Sequence, residues 1–445
     1  MNTANYASYE ASSFCVDASN LNFNEEGLIT ICDFPAFVHE WWHYIQDITT
    51  ISGQNGFYLW MRDIVRMTSV TCTGNGNTIA LPMKHDQYDE CYSKYRKLYN
   101  IFCGEKIERR IENPLITEEP KISPNGICFD GEEHTFAKCE VKVCNEVFYF
   151  GLLVLQELNA FYAQKIVESY VEGGKFNVPA DSLPEFPYKM GDILFDYYHI
   201  NCDIKTKFII SYLALDTIQS PTVFLYLLKA LSGKNLNYTN NRDEILSELH
   251  KVSSTYSHPN IDAIDEWSKD YSKWANDQVH VMMRESLQWY INTIIAVEKL
   301  KEKYGEDTFA ITLSKGHEFL KKLYECFPAP LIKQGNEVKG QQIKSNEELN
   351  IAARHDFEQA IVIWSHRRIY DLLKSQKREE FVNNSICPLY NDGNCFYLNK
   401  YTSAKQYDCR TAPWMVVKGE KQALCPYAVA AHSMGLWQND LDIHF

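Results

Sequence analysis

The stretch Phe37-Val-His-Glu-Trp-Trp-His-Tyr-Ile-Gln46 constrains this chain more than any other ten residues. It sets His39, Glu40 and His43 in an H-E-x-x-H arrangement. On an α-helix, residues four apart lie about 40° apart around the axis, so the two imidazoles project from the same side. Glu40 stands one position on, at the edge of that face, and Gln46 continues the face a turn later. Helix-start chemistry precedes the motif, with Asp33 a candidate N-cap and Pro35 in the first turn. Leu28 to Cys32 reads as a strand feeding that helix.

Trp42 flanks the histidine face, and Trp41 points to nearly the opposite side. The helix is therefore expected to be packed on two sides, deep in a domain. Ionisable side chains in such surroundings need partners, and one metal ion satisfies all three together. Two histidines four apart suit a tetrahedral zinc site, which needs a further ligand from elsewhere. The leading candidate is Glu157, within Gly151-Leu-Leu-Val-Leu-Gln-Glu-Leu-Asn-Ala-Phe161. That segment is apolar nearly all round, which marks a buried helix. A carboxylate there is either bonded to Arg, Lys or Tyr, or bound to metal.

Together, His39, Glu40, His43 and the stretch Glu157-Leu-Asn-Ala160 resemble the zincin metallopeptidases, in particular the gluzincin branch. In that branch an H-E-x-x-H helix and a glutamate on a later helix share one zinc. The resemblance implies His39, His43 and Glu157 as zinc ligands. Glu40 would be the general base that activates a zinc-bound water against a peptide carbonyl. The Leu28–Cys32 strand would align an extended peptide by strand addition. The developing oxyanion would be stabilised by zinc and by a Tyr or His donor. Tyr197, Tyr198 and His199 are the candidates for that donor, each set against a plain packing role. Glu157 follows His43 by 157 − 43 = 114 residues, longer than in many gluzincins. Phe161 occupies the position where the branch often carries an aspartate that orients the first histidine.

The expected function is thus a zinc metallopeptidase acting on an intracellular protein or peptide, an endopeptidase rather than an exopeptidase. Two alternatives stand beside it. One keeps the zincin scaffold without catalysis, as an interaction or regulatory protein. The other is a carboxylate-bridged di-iron oxidase built on Glu40-x-x-His43 with Glu157 bridging. No second E-x-x-H is present, the nearest segment being Asp277-Gln-Val-His280.

With 445 residues the chain can bury a large core, and an α+β, mostly helical fold is expected. Three parts are read from its patterning. Residues 1–175 form a zincin-like metal-binding region, with an edge strand before the motif helix and a β-rich middle that includes Thr78–Leu81. One apolar helix from about Glu146 to Glu172 closes it. Residues 176–380 form a helical region that completes the cleft or recognises partners. It includes Lys207–Leu231, Asp277–Tyr304 and Glu347–Gln376, with a polar loop from Pro328 to Ser345. Residues 381–445 form a small irregular module rich in cysteine. There Cys387, Cys395, Cys409 and Cys425 could hold a second structural Zn²⁺ or an Fe–S cluster, or remain buried thiols.

A net charge of −14 argues against nucleic acid or an anionic membrane as partner. The longest apolar run, Val147 to Leu155, falls well short of the roughly 20 residues needed to span a bilayer. No signal peptide is visible, so the 14 cysteines read as thiols and metal ligands, and a cytoplasmic location is expected. The expected partners are a protein or peptide substrate and a regulatory protein.

Overall fold

A computed structural model describes residues 7–25, 28–73, 78–82, 90–105, 107–129, 132–171, 174–253, 278–335, 337–340, 357–377, 379, 425–434 and 442–444. Helices dominate and the sheets are small.

The motif segment forms helix α1, Phe34–Thr49, with Asp33 at its N-cap position and Pro35 in the first turn. Asp33 does not cap the helix with its side chain. Its buried carboxylate accepts instead from the Asn22 backbone N–H at 2.8 Å, Asn22 Nδ2 at 2.7 Å and Asn177 Nδ2 at 2.7 Å. These bonds fold the approach to α1 into a turn, and the strand expected at Leu28–Cys32 does not form. Ile29 makes a single bridge to Phe23, while Leu28 and Ile31 are 59% and 61% exposed. The strands beside α1 come from further upstream, as β1 (Ser8–Glu10) and β2 (Cys15–Asp17).

Helices α2 (Ile51–Thr73) and α3 (Glu90–Cys103) follow, with β3 (Thr78–Ala80) between them. The β-rich middle is an antiparallel meander of β4 (Lys121–Phe129), β5 (Glu132–Val143) and β6 (Glu146–Tyr149). The helix expected from Glu146 therefore begins later, as α4 (Leu152–Glu168). Gly151 marks the break. A Cβ placed there would lie 2.3 Å from the Cys103 carbonyl carbon and 2.3 Å from the Gly104 nitrogen, so only glycine allows this approach of two backbones.

A connector, residues 174–189, leads to α5 (Met190–Tyr197), followed by β7 (Asn201–Cys202), α6 (Ile204–Leu215) and α7 (Ser220–Ala230). The single helix expected over 207–231 is thus two. Pro221 in the first turn of α7 has no N–H with which to continue α6. β8 (Asn235–Leu236), α8 (Tyr238–Ser253), α9 (Gln278–Tyr304), α10 (Thr308–Ser314) and α11 (His317–Cys326) follow.

The loop expected from Pro328 contains a hairpin, β9 (Leu331–Gln334) and β10 (Glu337–Gly340). Leu331 and Ile332 are buried, and β9 pairs in parallel with β2 to give the sheet order β1-β2-β9-β10. Lys333 Nζ closes that pairing on Asp17 at 2.6 Å. Helix α12 spans Phe357–Leu372. The tail is not wholly irregular: α13 covers Pro426–Ser433, and β11 (Asp442–His444) pairs in parallel with β3.

Helix α1 packs on α4, which packs on α6, and α1 also meets α2 and α9. The buried apolar side chains form one cluster from Phe14 to Met434. Trp41 and Trp42 are both fully buried on α1, as their opposed positions imply. Truncating either would cost on the order of 3–5 kcal/mol. Their indole N–H groups are satisfied by the Phe327 carbonyl at 2.8 Å and by Asn159 Oδ1 at 2.7 Å.

Candidate metal centre

The buried contact between α1 and α4 brings three side chains to one point. His39 Nε2 lies 3.2 Å and His43 Nε2 3.4 Å from the same oxygen, Oε2 of Glu157. The two imidazole centroids are 5.2 Å apart. Among the described residues this is the one cluster of metal-competent side chains, its ligand atoms all within 4.8 Å of one another. Tetrahedral zinc holds N and O ligands at about 2.0–2.1 Å, so neighbouring ligand atoms sit about 3.3 Å apart. The two separations to Oε2 match that edge.

Hydrogen-bond polarity places a proton on one nitrogen of His43. The Phe208 carbonyl can only accept, so the Asn159 amide group donates to it at 2.9 Å, and also to Ser211 Oγ at 2.8 Å. Asn159 Oδ1 then accepts from Trp42 and, at 2.9 Å, from Gln46 Nε2. Gln46 Nε2 also donates to the Gln156 carbonyl at 3.1 Å. Gln46 Oε1 is left facing His43 Nδ1 at 2.9 Å, and an oxygen acceptor requires a proton on that nitrogen. When the ring is neutral, its bare Nε2 lone pair faces a carboxylate oxygen. Two acceptors facing each other in a buried site need a proton or a cation between them. A metal ion answers both histidines and the carboxylate at once.

His39 has no equivalent support. Its Nδ1 is buried, with no hydrogen-bond partner among the described residues. That agrees with Phe161, rather than an acid, one turn beyond Glu157 on α4.

The centre opens on a cavity of about 540 Å³. Glu40 lines it beside the two histidines, together with Tyr9, Asp47, Glu108 and Tyr188. Tyr188 sits edge-on to His39, ring centroids 5.8 Å apart, and donates to Glu108 Oε1 at 3.1 Å. Burial, then the charges of Glu157, Glu108 and Glu40, hold its phenol above the usual tyrosine range, so at neutral pH it is a proton donor. On the other side, Tyr9 stacks on His43 at 6.3 Å. Its hydroxyl donates to Asp47 Oδ2 at 2.8 Å, and the Ser12 N–H meets the same oxygen at 2.8 Å. Burial pushes the Asp47 carboxyl up to about 6.

His39, Glu40, His43 and Glu157 are thus brought together. Tyr198 and His199 are not. Tyr198 is buried against Tyr197, and its carbonyl accepts from Gly233 N–H and Ser232 Oγ. His199 is exposed at the end of α5 in a left-handed conformation, φ 54°. Neither lines the cavity. Cys387, Cys395 and Cys409 lie outside the described residues, as does Asp277, and Cys425 is a buried thiol just ahead of α13.

Sequence reasoning missed Tyr9, Asp47, Glu108, Asn159 and Tyr188. Asp47, four residues beyond His43 on one face, and Asn159, a lone amide on an apolar helix, both carried a readable signal. Tyr9, Glu108 and Tyr188 reach the site through tertiary packing and carried none.

No family model, curated protein or solved structure matches this chain. No helix among the described residues is long and apolar enough to cross a membrane.

Proposed function

We propose that this protein is a zinc-dependent metallopeptidase whose ligands are His39, His43 and Glu157. The observation that carries the reading is the meeting of two imidazole nitrogens and one carboxylate oxygen at tetrahedral-edge distances, in a cavity lined by Glu40. The donor set suits zinc, since two imidazoles and one carboxylate are an open catalytic set. Bound there, the metal supplies Lewis acidity and a water of lowered pKa.

The chain's own residues do the rest. Glu40 is adjacent to a ligand in sequence but is not one of the three, so its carboxylate is available to take a proton from an attacking water and return it to the leaving amine. Tyr188, protonated and edge-on to His39, takes the place expected of Tyr198 or His199, and its one O–H would have to turn from Glu108 to the oxyanion to fill the donor role. The strand-addition role expected of Leu28–Cys32 falls to β1. It is the outer strand of its sheet, and Ala7, Ser8, Tyr9 and Ala11 line the cavity.

Replacing Glu40 by glutamine tests the reading. New protein N-termini are compared across the proteome of cells that express wild type or Glu40→Gln, with bound metal measured in both purified proteins. Termini present only with wild type, at equal metal content, are expected, with hydrolysis lowered by about 10²–10⁴-fold. Identical termini in the two would leave the non-catalytic scaffold as the better account.

A further inference from the structure

The wall of the cavity carries an amide that is held in place and left one bond short. Gln164 is only 2% exposed, and it lines the cavity from α4. Its Nε2 donates to the Val178 carbonyl at 2.9 Å and to Glu168 Oε1 at 3.1 Å. A carbonyl can only accept, so the amide cannot turn over, and Oε1 faces away from both partners. Glu168 is itself fixed, because its Oε1 also takes the Ala180 N–H at 2.7 Å. Among the described residues, nothing donates to Gln164 Oε1. An acceptor set this deep is answered by water until a ligand expels it, and the ligand must then supply an N–H or O–H of its own. Gln164 follows Glu157 by 164 − 157 = 7 residues. That is about 10 Å along the helix axis and about 20° from alignment, so both side chains leave the same face of α4. Leu153, on that face one turn before Glu157, lines the cavity as well. A peptide running along this wall advances about 3.3 Å per residue, which sets Gln164 about three residues from the group at the metal. A peptide paired with β1 points alternate N–H groups at the strand and the others away from it. Of the connector residues that line the cavity, Val178, Leu183 and Pro187 have no side-chain acceptor to meet them.

We infer that Gln164 holds the bound peptide by accepting at Oε1 a hydrogen bond from an N–H or O–H about three residues from the scissile bond. This rests on the peptidase reading for its substrate class. The donor has two sources, a backbone N–H of the peptide or a side-chain hydroxyl or amide. Pairing with β1 favours the backbone, because it leaves every second N–H without a partner on the sheet.

The test anchors a peptide at the metal, so that each position has a known distance from it. Tetra-alanines carry a hydroxamate at the C-terminus or, through a succinyl group, at the N-terminus, and are titrated into zinc-loaded protein. In each series one backbone N–H at a time is replaced by an ester oxygen. In one of the two series, the ester about three residues from the hydroxamate is expected to weaken binding roughly fivefold, the scale of one neutral hydrogen bond. That loss should vanish in Gln164→Lys and in Gln164→Met, with zinc content matched across the three proteins. In Gln164→Lys the ammonium still donates toward the Val178 carbonyl and Glu168 but accepts nothing, so the result does not depend on a gap in the wall. Esters that act alike in all three proteins, with serine in place of one alanine tightening binding to wild type alone, would assign the donor to a side chain and still support the inference. Ester and serine effects that are the same in wild type and both variants, or no binding of any hydroxamate, would overturn it. Identical cellular N-termini with wild type and Glu40→Gln, with the Gln164-dependent loss intact, would instead count against the peptidase reading alone.

Discussion

At the scale of single residues, the centre depends on which atoms can donate. Phe208's carbonyl, Asn159, Gln46 and His43 form a chain in which each link leaves the next one choice. Gln46 is therefore a positioning residue for the metal. Gln46→Met keeps the side-chain length and removes both polar ends, so metal affinity should fall by about 10–100-fold, as measured against a chromophoric chelator. An affinity equal to wild type would show that packing alone orients His43. His39, Glu40 and His43 were legible in sequence because their relation is local to one helix. Glu157 was legible as a charge on an apolar helix, whereas Tyr188 and Glu108 reach the cavity from the connector and from the segment after α3, where no periodicity points to a site.

At the scale of elements, the decisive contact is that of α1 with α4. Helix α4 carries Glu157 and Asn159 and begins at Gly151, which lies against the backbone of residues 103 and 104. Gly151→Ala places a methyl group inside that contact, so the start of α4 must move. A loss of roughly 2–4 kcal/mol in stability is expected. Zinc binding should weaken with it, since Glu157 is two turns downstream. Calorimetric unfolding with and without metal would show both, and a variant as stable as wild type would mean that the contact yields cheaply. The strand expected at Leu28–Cys32 illustrates the reverse problem. A mainly apolar run of five residues resembles a strand locally, but Asn22 and Asn177 hold Asp33 in a turn, and Asn177 lies 144 residues away in sequence.

At the scale of the whole molecule, buried polar groups tie distant helices together. Asp63 on α2 meets Arg96 on α3 at 3.1 Å and the hydroxyl of Tyr370 on α12 at 3.1 Å. Lys374 rests its ammonium over the Tyr370 ring at 3.8 Å, and burial lowers its pKa to about 8 from an ordinary 10.5. The folded state therefore binds this proton less tightly than the unfolded chain does. The charge costs stability in full below pH 8, and the cost fades as pH rises from about 8 to 10.5. Lys374→Met should raise Tm at pH 7, by up to about 3 kcal/mol in stability, with the gain shrinking by pH 10. A gain independent of pH would assign the effect to packing. A mostly helical α+β architecture was readable from the sequence. The pairing of β2 with β9, 316 residues apart at Asp17 and Lys333, was not, because strands this short carry too few residues to show a period.

Zinc titration of wild type beside Glu157→Gln bears most directly on the three-ligand centre. The glutamine is nearly isosteric and keeps one oxygen but not the charge. One zinc ion fewer per chain, or at least about 100-fold weaker binding at one equivalent, is expected of Glu157→Gln at neutral pH. Zinc bound with the same stoichiometry and affinity by both proteins would contradict the assignment of Glu157 as a ligand, and with it the metal centre described between α1 and α4.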